Sequence, residues 1–451
     1  MYESNGNPSR PGPKGHPLLG IAMDFRRDPT GTFFRLEKQY PDISFFRFSY
    51  LKMVFLTKPD YIKHVLATNN KSYHKGIEYE QLKLTLGEGL LTSEGSFWLR
   101  QRRLSQPSFH RKKIALFVDT MVNSTQELLN DWATRDQEKL DVLPEMMKVT
   151  LDVIGKTMFS SQVKSQAEVV ENALGVLVED AFRRIQAMLR VPLWIPTPNN
   201  RQTRKAITNL DKVIFALIDQ RRATGESQDD LLSMLMEAED ADTGERMSDM
   251  QLRDEAMTIF IAGHETTANV LTWALYLMAK NPAVQEKLVA EVDAVLQGKP
   301  PTMEHTTQLD YTRMVLEETM RLYPPAWAIG RKAIEDDTIG GYKINKGDNI
   351  LICPLATHRS EQFWDQPLAF RPERFSKAAA KERHRFEYFP FGGGPRLCIG
   401  NNFAMLEMQI ILTMLVQRYR FRHCEGHRVE MAPLVTLRPK YGMEMQLERR
   451  K

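Results

Sequence analysis

Apolar residues recur along most of this chain at the three- and four-residue spacing of an amphipathic helix, and strand-like patterning is confined to three patches. The first covers residues 42–58, where Ile43, Phe45, Phe46, Phe48, Val54, Phe55 and Leu56 predict two short strands around a turn at Tyr50-Leu51-Lys52. Residues 342–352 and 429–447 form the other two. The pattern predicts a mainly α protein with small β-sheets. A charged, glycine-containing stretch, 239–249, reads as a loop. After it, Ser248 with Gln251 three residues on makes a capping box, and helical periodicity runs to Lys280, where Asn281-Pro282 stops it. About 32 residues at the helical rise span nearly 50 Å. From 259 to 278 this helix is apolar on almost every side, which marks a helix crossing the middle of a protein.

Composition narrows the class only a little. The chain has 451 residues, 42% of them hydrophobic, with a net charge of +4. That supports a sizeable core, and so mild a basic excess does not point to nucleic acid. No low-complexity linker or internal repeat divides it. The three cysteines, Cys353, Cys398 and Cys424, show no paired spacing, which argues for a reducing compartment. Residues 1–10 are polar, and no uncharged run reaches the roughly 18 apolar residues of a spanning helix. A soluble, cytoplasmic protein without a membrane anchor is the expectation.

The strongest chemical signal is Phe391-Gly392-Gly393-Gly394-Pro395-Arg396-Leu397-Cys398-Ile399-Gly400, directly before a helical run at 402–416. Glycines let the backbone come close to a flat ligand. Cys398 precedes a helix N-terminus, whose unpaired N–H groups and dipole favour a thiolate, so it reads as a metal ligand. Arg396 suits a carboxylate on whatever is bound. A phosphate cradle would need a Lys-Ser or Lys-Thr at the helix start, and there is none. A second signal lies in the apolar helix, at Ala262-Gly263-His264-Glu265-Thr266-Thr267. An ionisable Glu in a buried helix is costly unless paired or functional. Gly263 leaves room there for a flat ligand or dioxygen, and Glu265 with Thr266 forms an acid–alcohol pair. Two further spacings carry less weight alone: Glu318 with Arg321 on one helix face, and Trp98 with Arg102 one helical turn apart.

Together these residues resemble the cytochrome P-450 superfamily from about Pro11 to Lys451, closer to its fatty-acid-hydroxylase-like bacterial and microsomal members than to the short camphor-hydroxylase type. The resemblance implies a single-domain fold over residues 11–451 behind the polar tail. Haem b would lie between the long central helix and the helix after the cysteine loop. Cys398 would be the axial iron ligand, within a loop that includes Phe391 and Gly400. Trp98, Arg102 and Arg396, with Arg331 more weakly, would hold the haem propionates, and Gly263 would leave space on the opposite face. Glu265 and Thr266 would relay protons during oxygen activation. Glu318, Arg321 and Arg374 would brace the cysteine loop. Substrate would meet Ile259, Phe260 and Ala262, then Ala326, Trp327 and Ala328, and finally Val435 and Thr436. The Pro-rich stretch 8–17 resembles the hinge that follows the anchor in membrane-bound members.

The implied reaction is insertion of one atom of O₂ into a lipophilic small molecule by a monomer. Electrons would come from a separate NAD(P)H-driven donor, a ferredoxin, flavodoxin or flavin reductase. Arg100 and Arg103 read either as a solvated basic face or, with Lys112 and Lys113, as a patch for an acidic donor. Peroxygenase, peroxide-rearranging and non-enzymatic haem proteins are the rival classes. An intact acid–alcohol pair speaks against the first two.

Overall fold

The computed structural model describes residues 10–135, 139–160, 167–186, 191–225 and 228–450. All but Arg10 of the polar tail lies outside them. The chain packs as two compact units, one running to Glu78 and resuming over Glu317–Cys398, the other comprising Tyr79–Leu316 and the chain from Ile399. No helix among the described residues is long and apolar enough to cross a membrane.

The first unit is built on a five-stranded sheet, in the order Ile43–Phe48, Leu51–Leu56, Asn349–Ile352, Ile329–Ala333 and Tyr73–Lys75. Neighbours are antiparallel except for the parallel pair Leu51–Leu56 and Asn349–Ile352. The first hairpin turns earlier than the sequence predicts. Phe48 pairs with Leu51 and Arg47 with Lys52, so Ser49-Tyr50 is the turn. Two-residue hairpin loops need positive φ, and Ser49 supplies it at 55°. Val54, Leu56, Ile329, Ile350 and Ile352 share a core with Leu66, Phe386 and Phe389, the residues that back the cysteine loop. Each such side chain contributes roughly 1.5–3 kcal/mol on burial. A π-helical turn, His64–Thr68, is held where Asp337 Oδ2 meets His64 Nε2 at 2.7 Å, Asn69 Nδ2 at 3.0 Å and the Tyr73 hydroxyl at 2.5 Å.

The second unit is organised around the helix Asp249–Lys280, with the Ser248–Gln251 capping box formed at its start. Asn281 ends it and Pro282 opens the next helix, Pro282–Leu296. Helix Val142–Phe159 packs along it, with the rings of Phe159 and Phe260 5.9 Å apart. Helix Asn401–Arg418 also packs on it and runs straight into a strand, Tyr419–His423. That strand joins Lys139–Asp141 and Glu444–Arg449 in a three-stranded sheet.

Candidate active site

The cysteine loop is closed by its own backbone. Gly392 N–H donates to the Phe389 carbonyl at 2.9 Å, Leu397 N–H to Gly394 at 3.1 Å, and Cys398 N–H to Phe391 at 3.0 Å. Gly394 has a φ of +65°, and a Cβ there would sit 1.9 Å from the carbonyl oxygen of Leu66 in the π-helical turn. At Gly393 a Cβ would sit 2.5 Å from the Phe386 ring. The rear of the loop is therefore filled by backbone and aromatic carbon, and only glycine fits. Cys398 is exposed, whereas Cys353 and Cys424 are buried, and no disulfide joins the three. Burial pushes the Cys353 thiol up to about 12, and its Sγ donates to the Trp327 carbonyl at 3.1 Å. Of the three, Cys398 alone is open to the surroundings. Gly400 is the N-cap residue of the helix that follows.

Glu318, Arg321 and Arg374 come together. Glu318 and Arg321 are fully buried and paired twice, Nε to Oε2 at 2.7 Å and Nη2 to Oε1 at 2.8 Å. Arg321 also donates to the carbonyls of His358, Pro367 and Ala369, and Arg374 Nε lies 3.4 Å from Glu318 Oε1. The Arg374 contact is an ion pair without hydrogen-bond alignment; its Nη2 donates to the Gln366 carbonyl instead. Sequence reasoning missed the next link. The buried His358 accepts the Phe389 N–H at Nε2, 3.0 Å away, and Phe389 is where the cysteine loop begins to close. Nothing in the chain around His358 signals this partner, 31 residues on.

On the long helix, Ala262 is exposed and Thr266 half-buried, although the helix is otherwise largely buried. Thr266 Oγ1 donates to the Ala262 carbonyl at 2.7 Å, so its proton is engaged and its oxygen is left as an acceptor. Glu265 is buried, and burial holds its carboxyl above the usual range, against a bond from Thr436 and the charge of Arg438. Desolvation pushes the neighbouring His264 down to about 4, so that imidazole is neutral at neutral pH.

Several expected site residues sit differently. A Cβ on Gly263 would meet Ile154 Cδ1 at 3.1 Å, so its missing side chain also serves close packing on helix Val142–Phe159. Phe260 packs on Phe159, and Ile259 is buried beside it in sequence. Trp327 turns into the core of its unit, 5.8 Å from the Phe33 ring. The Thr436 hydroxyl is taken by Glu265 rather than open to a substrate. Ala326 is exposed, and Ala328 and Val435 are partly exposed. Arg331 is buried, with Nη1 on the Gly330 carbonyl; Arg396 is half-buried. Trp98 and Arg102 are half-buried on one helix, Gly95–Ser105. Arg100 is half-buried, whereas Arg103 stays exposed, and both are engaged in ion pairs. Arg100 pairs with Glu245 at 3.1 Å and Arg103 with the buried Asp240 at 2.9 Å, tying their helix to the loop before the long helix.

Residues 10–445 match the family model described as Cytochrome P450. The chain belongs to the cytochrome P450 family. It is 34% identical over 427 residues to cyclooctatin synthase of Streptomyces melanosporofaciens, a match covering 94% of this chain and 92% of that protein. It is 31% identical over 430 residues to cyclooctat-9-en-7-ol 5-monooxygenase of the same organism, covering 94% and 93%. Cytokinin hydroxylase of Arabidopsis thaliana is 33% identical over 405 residues, covering 87% and 78%. This P450 is thus an oxidoreductase, a haem-dependent monooxygenase. Its residues fit the haem-thiolate group of the family: one exposed thiol on a loop that glycine alone can form, with an Arg two residues before it. No cluster of three His, Cys, Asp or Glu among the described residues could hold a metal ion instead.

Proposed function

We propose that this P450 hydroxylates or epoxidises a lipophilic substrate of terpenoid type, with Cys398 as the iron ligand and Glu265–Thr266 as the proton-delivering pair. The observation that carries the reading is the committed hydroxyl of Thr266 beside the exposed Ala262, one residue from a buried acid. Haem b, held through Cys398, supplies the reductive activation of O₂, in the balance R–H + O₂ + 2e⁻ + 2H⁺ → R–OH + H₂O.

The chain's own residues do the rest. Trp98, Arg102, Arg396 and Arg331 supply N–H donors to the propionates. Thr266, its own proton given to Ala262, accepts a hydrogen bond from the group being protonated and so fixes where that proton sits. Glu265 replenishes the proton; a carboxyl raised by burial can do so closer to neutral pH. The side chains of Ala262, Ala326, Ala328 and Val435 are apolar and carry no hydrogen-bond donor, which suits a lipophilic substrate. The name cyclooctat-9-en-7-ol 5-monooxygenase points to the same class. Electrons come from a separate donor protein, and the three-cysteine chain fits a reducing, cytoplasmic setting.

The test is turnover under ¹⁸O₂ with a surrogate reductase and NADPH, on a panel of terpenoid alcohols and hydrocarbons chosen by substrate-induced spin shift. Product carrying one ¹⁸O atom supports the reading. Product formed only with added H₂O₂ would establish a peroxygenase instead.

A further inference from the structure

Glu265 does not stand alone in the interior. Thr436, 171 residues away, donates its hydroxyl to Glu265 Oε1 at 2.7 Å, and Asn269 Nδ2 donates to that hydroxyl at 3.0 Å. Asn269 lies one turn beyond Glu265 on the same helix, and all three side chains are buried. The direction of the chain follows from donor and acceptor counts. An amide NH₂ can only donate, and a hydroxyl has one proton, so Thr436 accepts from Asn269 and gives its proton to Glu265. In this arrangement Oε1 is an acceptor.

We propose that Thr436 and Asn269 are positioning residues for the acid of the oxygen-activating pair: they reserve Glu265 Oε1 as an acceptor, so that Oε2 alone takes up and releases the proton. The inference rests on Glu265 acting as the proton source proposed above. It gives two residues that touch neither haem nor oxygen a defined effect, a single proton-bearing oxygen on a carboxylate that could otherwise use either. The hydrogen bond from Thr436 favours the ionised form, and burial opposes it. The charged group acting on the carboxyl is Arg438, on the strand Leu437–Pro439. From the other elements packed on this helix, Thr150 of Val142–Phe159 donates to the His264 carbonyl, and Glu407 of Asn401–Arg418, its carboxyl pushed well above the usual range by burial, lies beside Thr267.

The experiment is an isotope-edited infrared titration of the protonated Glu265 carboxyl in the purified holoprotein, with Glu265→Gln identifying the band. Coupling of NADPH oxidation to product is followed in parallel against pH. Thr436→Val removes the hydroxyl at nearly constant shape. It should raise the midpoint of the carboxyl band by about one pH unit, a tenfold gain in proton affinity, and move the pH profile of coupling the same way. Thr436→Ser should restore both. Asn269→Ala, a second route should Thr436→Val fold poorly, should give a smaller upward shift, because the hydroxyl is free to rotate. An unchanged midpoint in both variants would overturn the proposal while leaving the acid–alcohol pair intact. Wild-type turnover and coupling in Glu265→Gln would overturn that pair, and the proposal with it.

Discussion

The imidazole of His358 accepts the amide N–H of Phe389 at 3.0 Å, and the His358 carbonyl accepts from Arg321 at 2.8 Å. One buried residue thereby joins the Glu318–Arg321 pair to the start of the cysteine loop. Burial first, then the nearby Arg321 charge, pushes this imidazole down to about 3, against about 6.5 in an unfolded chain. A depressed pKa gives stability that is complete above the unfolded value and lost as pH falls toward the folded one. Stability should therefore decline below about pH 6.5, with His358 contributing up to about 1.4 kcal/mol per pH unit. His358→Gln keeps an acceptor but cannot titrate, and should flatten that slope. Denaturant titrations between pH 5 and 7 check it, and equal slopes for both proteins would refute the assignment.

The Glu318–Arg321 pair is fully buried, so removing one partner strands the other. Glu318→Ala should cost about 3–5 kcal/mol and leave little folded holoprotein. Arg321→Lys should also be severe, since one ammonium cannot reproduce a two-point pairing together with three carbonyl contacts. Thermal melts and the haem-to-protein ratio after purification would show it; a normal melt for Arg321→Lys would argue against a bracing role.

Among the cysteines, Cys398→His should abolish the red-shifted absorption that thiolate-ligated ferrous haem gives with CO. Cys353→Ser and Cys424→Ser should keep it. Cys353, with its thiol raised to about 12 and bonded to Trp327, should also resist alkylation at pH 8 in the folded protein. Mass spectrometry after iodoacetamide treatment reads this directly.

Thr266→Ala should bind haem and substrate and reduce normally, yet lose coupling, with NADPH consumed and peroxide released in place of product. Thr266→Ser, which keeps an oxygen able to donate to Ala262, should recover most of the coupling. Product and peroxide per NADPH are the measurements. Full coupling in Thr266→Ala would remove the hydroxyl from the mechanism.

What could be read from the chain was what lies close along it. The capping box of the long helix, its stop at Asn281-Pro282, the cysteine loop and the Glu318–Arg321 pair all depend on residues within a few positions of one another. What escaped depends on partners brought together only by folding. Thr436 reads as an apolar-pocket residue until Glu265 is found against it. Arg100 and Arg103 read as surface charge until Glu245 and Asp240 meet them. Tyr73–Lys75 is too short to announce itself, and pairs with Ile329–Ala333 far along the chain. Gly263 carried the right signal, a close approach, but not which neighbour approaches.

That neighbour has a mechanical consequence. A methyl group at residue 263 would stand 3.1 Å from Ile154 Cδ1, so the long helix has little room to spare against helix Val142–Phe159. Bulk added at residue 263 requires either the Ile154 side chain to yield or the helix to shift, and a shift carries Ala262, Glu265 and Thr266 with it. The stretch that carries the reactive side chains is thus backed by an isoleucine one helix away. Exchanging Ile154 for a smaller or larger residue offers a way to retract or advance them without altering any one of them.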